Sequence, residues 1–256
     1  MRLIQPKQSP TSRQLSKRVT TVRNAYFIGS GPFDAEAFQE DLAADEAQAK
    51  AKGESFHAYF IGCDRGARRF VEMEGERPPK LDLAIGDYDS ITEAQRQVVL
   101  ENAGRFISLP AEKDETDTEA AINEVINTYP PMDHYLFYGM LAGRLDHTLH
   151  NVWLGRQPRY QDVIEQFEFR SDDNVMTFLK PGSHILKQMT GMKYLSFIAL
   201  ETVTGLDLIE AKYPLANYDM PFAQSMISNE FIGPEMTIQF KTGIMLALHT
   251  RDAQSI

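Results

Sequence analysis

The stretch Leu81-Asp-Leu-Ala-Ile-Gly-Asp-Tyr-Asp-Ser-Ile-Thr-Glu93 contains, in order, a short apolar run, an acidic turn and the start of an amphipathic segment. Residues 81–85 have the length and apolar content of a strand buried on both faces, as in a parallel sheet. Ser90-Ile-Thr-Glu93 has the spacing of a capping box, in which a hydroxyl and a carboxylate satisfy free backbone groups at a helix start. The stretch therefore predicts a strand, an acidic loop and a helix in succession.

The same unit recurs on both sides of this stretch, between residue 25 and about residue 155. Four further apolar runs predict strands at residues 25–29, 58–62, 106–109 and 135–138. Amphipathic segments predict helices at residues 34–52, 92–103 and 116–127, and the last begins with a second capping-box spacing, Thr116-Asp-Thr-Glu119. Short strands that alternate with helices are typical of βαβ units and a parallel sheet.

The pattern changes after about residue 160, where alternating and β-branched runs are separated by glycine-containing turns. Thr237-Ile-Gln-Phe240, then Lys-Thr-Gly, then residues 244–248 predict an antiparallel hairpin. We therefore predict an α/β protein with a parallel-sheet, Rossmann-like domain at residues 24–157, followed by an all-β sandwich domain at residues 158–256. The boundary falls near Gln157-Pro158.

Composition and charge place the chain among ordinary globular proteins. It has 256 residues, of which 43% are hydrophobic and 24% charged, so it can bury a core without disulfides or metal staples. The formal net charge of −10 argues against general affinity for nucleic-acid backbones or anionic lipid. No apolar run approaches the roughly 20 residues of a membrane helix. We expect neither a nucleic-acid partner nor a membrane span.

Two further features bear on organisation and compartment. The first 33 residues contain six Lys or Arg and no Asp or Glu, and we interpret residues 1–23 as a basic, flexible arm. The lone Cys63 cannot form an internal disulfide, which fits a reducing compartment. We predict a cytoplasmic protein.

Acidic residues directly follow the strand predicted at residues 81–85. Ligands of parallel sheets collect at the carboxyl ends of the strands, so Asp87 and Asp89 are the first candidates for chemistry. If the extended conformation continues through them, both carboxylates point to one side and suit Mg²⁺, which takes oxygen ligands. The alternative is a polar turn or helix cap without metal.

Two more strand-to-helix junctions carry charge. In Glu112-Lys-Asp-Glu-Thr-Asp117, Asp114 and Asp117 share a face once helical, and Lys113 could pair with a phosphate; a solvated helix cap is the alternative. In the stretch from Gly139 to His147, the glycines allow close backbone approach and Arg144 offers a planar fork for phosphate oxygens, while Asp146 is a candidate helix cap. Both junctions suit phosphate binding.

These junctions, together with Asp64-Arg-Gly-Ala67, resemble the thiamine pyrophosphokinase family. Its members have Asp-Gly-Gly-Ala, Gly-Asp-Phe-Asp-Ser, Lys/Gln-Asp-x-Thr-Asp and Gly-Gly-Arg-x-Asp-His in this order. Downstream, Thr204-Gly-Leu206, Lys212-Tyr-Pro-Leu215 and Ser228-Asn-Glu-Phe231 are similar to the family's thiamine-binding β-domain, so the resemblance covers about residues 58–248. One departure is Arg65, where the family often has a second Gly; if the nucleotide approaches the backbone there, this side chain must point away or add a phosphate contact.

The resemblance implies an enzyme that transfers the pyrophosphoryl group of ATP to the hydroxyl of thiamine and yields thiamine diphosphate and AMP. It implies Mg²⁺ as cofactor and a homodimer whose active site is completed at the subunit interface. It also implies roles for individual residues. The metal site would consist of Asp87, Asp89 and Asp117, and Asp64 would be a further catalytic residue. The nucleotide and its phosphates would be bound by Asp64, Lys113, Asp114, Thr116, Arg144 and Asp146, and thiamine would be bound by Tyr213, Ser228 and Asn229.

Two other functions remain open from the sequence. One is a related Mg²⁺-dependent pyrophosphokinase or nucleotide hydrolase that acts on another small substrate. The other is a non-catalytic thiamine-binding sensor, against which the three candidate metal carboxylates argue. An Asp near the metal could accept the alcohol proton, and the sequence leaves its identity open between Asp117 and Asp64.

Overall fold

The computed structural model describes residues 20–32, 34–73 and 80–252. Its first half alternates five strands with helices: β1 (Thr21–Ile28), α1 (Ala35–Ala51), β2 (Ser55–Cys63), α2 (Arg65–Val71), β3 (Leu81–Gly86), α3 (Glu93–Glu101), β4 (Ala103–Ser108), α4 (Asp117–Thr128), β5 (His134–Tyr138) and α5 (Leu145–Trp153). The five predicted strands and three predicted helices are confirmed. Strand β1 includes residues 21–23, which the charge pattern assigned to the basic arm, and residues 1–19 of that arm lie outside the described residues.

One of the two predicted capping boxes is wrong by two residues. Helix α3 is capped by Thr92, whose side chain accepts from the Gln95 backbone while the Gln95 side chain accepts from the Thr92 backbone. Ser90 lies two residues before this N-cap, and its hydroxyl donates to Asp64. The box at Thr116 and Glu119 is confirmed at the start of α4.

The second half begins with three short 3₁₀ segments (Leu154–Arg156, Pro158–Tyr160 and Ile164–Gln166) and continues as strands alone. These are β6 (Phe167–Ser171), β7 (Asn174–Leu179), β8 (Gly182–Lys187), β9 (Tyr194–Ala199), β10 (Val203–Ile209), β11 (Leu215–Met220), β12 (Ser225–Asn229), β13 (Glu235–Phe240) and β14 (Met245–Thr250).

The strands form two sheets. The larger has ten strands in the order β12-β9-β14-β7-β6-β5-β1-β2-β3-β4, and the smaller has four in the order β11-β10-β13-β8. The ten-stranded sheet is parallel from β4 to β6 and antiparallel from β6 to β12. The fold is therefore α/β with a second, antiparallel sheet, and the sandwich shares its larger sheet with the α/β half.

The predicted hairpin between residues 237 and 248 does not form. Strand β13 pairs with β8 and β10 in the smaller sheet, whereas β14 pairs with β7 and β9 in the larger one. Gly243, with φ of 94°, lies in the connection, which crosses from one sheet to the other. The two strands face each other through buried side chains instead of pairing edge to edge, as Ile238 and Ala247 illustrate.

The topology determines where a site can form. Strands β1 to β5 run in the same direction, so the loops that follow them meet at one edge of the sheet. Apolar clusters on both faces hold these strands, one built around Phe27 and Phe137 and the other around Tyr26 and Phe70. The strands are thus a rigid support for five adjacent loops.

Candidate active site

Asp64 is the point at which three of the five loops meet. It follows β2 in an unusual conformation, with φ of 49° and ψ of −125°. Its backbone N–H donates to the Ile85 carbonyl at 2.9 Å, and its carboxylate accepts from Ser90 Oγ at 3.1 Å and from Ser30 Oγ at 3.4 Å. Strain of this kind persists where the surroundings hold it and is frequent in functional sites. Neither serine was predicted as a site residue from the sequence.

The glycine that this turn requires is Gly66, not residue 65. A Cβ built on Gly66 would lie 1.9 Å from the carbonyl oxygen of Ile28, so the start of α2 passes directly against the end of β1. Arg65 is exposed and meets no such restriction. The departure from the family's pattern therefore falls at a position where the backbone is not crowded.

The acidic turn after β3 does not remain extended. Tyr88 has φ of 57° and is buried, with its ring stacked on Phe106 at 4.8 Å between centroids. The expectation that strand geometry places Asp87 and Asp89 on one side is therefore wrong. Asp87 is largely buried and faces Lys113, whereas Asp89 is exposed and its backbone N–H donates to Asp87 Oδ1 at 3.4 Å.

Lys113 joins the loops that follow β3 and β4. Its Nζ lies 3.1 Å from Asp117 Oδ1 and 3.4 Å from Asp87 Oδ2, and it donates to the Pro110 carbonyl at 3.3 Å. Burial raises the pKa of Asp117; Lys113 opposes this, and the charges of Asp87 and Asp64 add to it. Asp117 Oδ1 is buried and has no hydrogen bond of good geometry. The negative charges of Asp64 and Asp87 therefore disfavour the ionised form of Asp117, and the Lys113 ammonium contacts both Asp87 and Asp117.

The arrangement of the β4–α4 loop differs from the expected one. Helix α4 starts at Asp117, so Asp114 lies before the helix and does not share a helical face with Asp117. Asp114 is exposed. Thr116 is the N-cap residue, and its hydroxyl accepts from the Glu119 backbone.

The loop after β5 packs against the loop after β1. Gly139 has φ of 67°, and its carbonyl accepts from the Gly31 backbone at 2.9 Å. Arg144 is the N-cap residue of α5, and its Nη2 lies 2.5 Å from Asp146 Oδ2. The expected cap by Asp146 is wrong, because this residue lies within the first turn. The hydrogen bond from Arg144 lowers the pKa of Asp146 to about 2. Both side chains are mostly exposed, which leaves them open to a ligand.

The candidate thiamine residues lie together, at one end of the ten-stranded sheet. Asn229 is buried; its Oδ1 accepts from the Tyr213 backbone at 3.0 Å and its Nδ2 donates to the Tyr213 carbonyl at 3.0 Å. The Tyr213 ring is 58% exposed. Ser228 is exposed with φ of 60°, and its backbone donates to Ser196 Oγ at 3.0 Å. Asn229 therefore fixes the backbone that presents an aromatic ring to solvent.

Among residues 20–32, 34–73 and 80–252, no group of three or more His, Cys, Asp or Glu side chains is arranged to hold a metal ion. Asp87 and Asp117 nevertheless offer hard oxygen donors, and Asp117 Oδ1, whose partner is the Lys113 ammonium, can accept a cation.

Residues 20–32, 34–73 and 80–252 contain no helix that could span a membrane.

Carboxylates, a lysine and an exposed arginine thus occur together at the carboxyl edge of a parallel sheet. Enzymes that transfer phosphoryl groups work by positioning and by charge neutralisation, which these side chain types provide. The side chains at this edge of the sheet are typical of enzymes that transfer phosphoryl groups.

Comparison with known proteins is consistent with this class and narrows it. The thiamin pyrophosphokinase catalytic domain matches residues 54–165, and the thiamin pyrophosphokinase vitamin B1 binding domain matches residues 183–245. The thiamine pyrophosphokinase of Bacillus subtilis is 32% identical over 200 residues, which are 77% of this chain and 89% of that protein. The chain belongs to the thiamin pyrophosphokinase family.

Solved structures agree with this assignment. A thiamin pyrophosphokinase family protein from Enterococcus faecalis is 30% identical, with a TM-score of 0.74 over 90% of this chain and 99% of that one. Yeast thiamin pyrophosphokinase is 12% identical, with a TM-score of 0.66 over 97% of this chain and 96% of that one, a likeness of fold alone. The fold is thus shared by distant members of the family.

Proposed function

We propose that this enzyme transfers the pyrophosphoryl group of ATP to the hydroxyl of thiamine and releases AMP and thiamine diphosphate. The observation that carries the proposal at the level of residues is the joining of Asp87 and Asp117 by Lys113 at the carboxyl edge of the sheet. Asp87, Asp89 and Asp117 would hold Mg²⁺, which supplies charge neutralisation on the phosphate oxygens when bound. The contact of both Asp87 and Asp117 with Lys113 Nζ supports this role, and exposed Asp89 would join them.

The other polar groups of this edge have roles that follow from their positions. A cation bound by Asp87 and Asp117 would take the place of Lys113 on these carboxylates, and the Lys113 ammonium would then be available to pair with a phosphate oxygen. Arg144 and Asp146, with Asp114 and Thr116, border the nucleotide at neighbouring loops. Asp64 is held by two hydroxyls and can orient a ligand or accept the alcohol proton.

At the far end of the sheet, Tyr213 offers an aromatic face to a cationic ring. Ser228 and Asn229 lie beside it, and Asn229 keeps the loop in position through its hydrogen bonds to Tyr213. These residues form the proposed thiamine-binding end of the site.

The two ends of the site are carried by widely separated strands of the ten-stranded sheet. Strand β12, which carries Ser228 and Asn229, is at one edge of the ten-stranded sheet, and β3, which precedes Asp87, is next to the other edge. Eight strand spacings of about 4.8 Å separate β12 from β3, or roughly 38 Å along a flat sheet. We therefore propose a homodimer in which the thiamine residues of one protomer face the phosphate residues of its partner.

Exposed apolar side chains support this arrangement. Leu145, Leu149 and Trp153 of α5 are spaced by four residues, so they form one exposed stripe directly after Arg144. At the thiamine end, exposed apolar side chains lie on and around β11 and β12: Tyr213, Tyr218, Phe222, Ile227 and Ile232. Apolar surfaces of this kind beside a proposed site mark interaction faces.

The division of the chain follows from these roles. We propose residues 24–157 as the Rossmann-like catalytic half and residues 158–256 as the thiamine-binding half, which the two family matches support. The proposed compartment is the cytoplasm, since the lone buried Cys63 needs no oxidising environment.

The test is to incubate the purified protein with Mg²⁺ and ATP, with and without thiamine, and to quantify AMP and thiamine diphosphate in parallel. We expect the two products in equal amounts and only when thiamine is present. AMP or ADP without thiamine would point to a hydrolase or another acceptor. Thiamine binding without turnover would favour a sensor.

A further inference from the structure

Glu119 is a buried carboxylate outside the residues assigned above. It is only 4% exposed. Its Oε2 accepts from the Thr116 backbone at 3.0 Å and lies 3.0 Å from His150 Nε2. Its Oε1 accepts from Gln157 Nε2 at 2.7 Å and from Arg159 Nη2 at 2.5 Å. One side chain therefore joins the start of α4, helix α5 and the segment that leads to β6.

Glu119 is suited to this position as an anion. The Thr116 backbone, the Gln157 amide and the Arg159 guanidinium all donate to its oxygens, and His150 lies beside it, so the carboxylate is surrounded by donors and positive charge. Arg159 also pairs with Glu115, which in turn accepts from Asn123 at 3.1 Å. Glu119 is thus the buried member of a network whose other members reach the surface, and removal of its charge would leave these partners without their shared acceptor.

We infer that Glu119 is a positioning residue for the reaction, which locks the β4–α4 loop against residues 157–159. The inference rests on the proposed function. The loop held in this way contains Lys113 and ends at Asp117, the first residue of α4 and two residues before Glu119. The same network reaches the start of the thiamine-binding half through Arg159.

The physical reason is that, within the described part of the chain, the Asp117 carboxylate has no side-chain partner besides Lys113. Its contact within the loop is with Lys113 at 3.1 Å, and a cation bound by Asp117 would compete with that lysine for the carboxylate. Helix α4 must then hold the carboxylate in place, and Glu119 is the group that fixes the first turn of α4. Hydrogen bonds made directly to ligand side chains typically account for about 10–100-fold in metal affinity or activity; Glu119 acts through the Thr116 backbone, so we expect an effect at the lower end of this range.

The test compares Glu119→Gln with Glu124→Gln. Both residues lie on α4 and both pair with an arginine, but Glu124 pairs with Arg105 and does not touch the β4–α4 loop. Three quantities are measured well below the unfolding temperature: the Mg²⁺ concentration for half-maximal rate, the KM for thiamine, and amide hydrogen exchange in the metal-free protein.

We expect Glu119→Gln to raise the Mg²⁺ midpoint by about tenfold or more and to lower kcat, with the KM for thiamine within about twofold. Exchange should increase at residues 112–118 and not in the strands. Glu124→Gln should behave as wild type in all three measurements. A purely structural role would lower the unfolding temperature and leave the Mg²⁺ midpoint and the local exchange unchanged, and that result would overturn the inference.

A second pair keeps the test decisive if Glu119→Gln does not fold. Arg159→Lys keeps the charge but loses the fork that reaches both Glu115 and Glu119, and Arg156→Lys is its control, because Arg156 pairs with Glu201. We expect the same increase in Mg²⁺ midpoint and local exchange for Arg159→Lys alone, and wild-type values there would overturn the inference. Product formation by the wild type tests the proposed function separately.

Discussion

A shared active site can be tested by mixing two inactive variants. Asp87→Asn removes a carboxylate at the phosphate end, and Tyr213→Ala removes an exposed ring at the thiamine end, so neither should disturb the core. If each site takes its two ends from different protomers, a mixed dimer contains one site with both changes and one with none. With equal amounts and random exchange, half of the dimers are mixed, which predicts about a quarter of the wild-type rate.

The assay is thiamine diphosphate formation after the variants are denatured and refolded together, at thiamine concentrations below the wild-type KM. Each variant alone gives the baseline. The matched control mixes Asp87→Asn with Asp117→Asn, which lie at the same end and should not restore activity in any dimer. The two ends lie roughly 38 Å apart along a flat sheet, which favours a site shared between protomers over one within a single chain. Absence of recovery in the first mixture, with mixed dimers present, would refute the reasoning.

Three further predictions concern the metal site, the crowded turn and the β sandwich. Asp89→Ala should lower kcat by orders of magnitude without loss of folding, because the side chain is exposed; near-normal kcat would remove Asp89 from the metal site. Gly66→Ala should cost about 3 kcal/mol or more in urea unfolding, since its Cβ would clash with Ile28, whereas Gly233→Ala, with open space around it, should cost under about 0.5 kcal/mol. Burial lowers the pKa of His249, and its hydrogen bond to Lys187 and the charge of Glu168 oppose this shift. As the pH falls, His249 therefore takes up a proton in the unfolded chain, near pH 6.5, before it does so in the folded protein. Unfolding free energy should therefore fall as pH decreases from 7.5 to 5, and less so in His249→Gln; equal slopes would contradict this.

The α/β half could be predicted because its signals are local. Residues 81–85 form a mostly buried strand, and four apolar residues among these five predict it without reference to the rest of the chain. The Thr116 and Glu119 spacing likewise predicts the start of α4. It does not predict that Glu119 is buried, because His150 and Arg159 come from distant parts of the sequence.

The remaining differences arise where tertiary contacts compete with a local preference. Ser90 has the spacing of a cap but donates to Asp64 instead, and Tyr88 ends the extended turn because its ring packs on Phe106. Residues 237–248 have the pattern of a hairpin, yet burial between two sheets directs β13 and β14 to different partners. Sequence periodicity identifies strands but does not determine which sheet each one joins.

The continuous ten-stranded sheet also limits how this protein can be divided. Strand β6 pairs with β5 on one side and with β7 on the other, so the hydrogen bonds of the sheet run across the proposed junction at residues 157 and 158. A gene fragment that ends there would leave β5 with a bare apolar edge, the kind of edge that promotes aggregation. The thiamine-binding half should therefore not fold as an independent domain when it is moved to another protein. The two halves should unfold together in a single calorimetric transition.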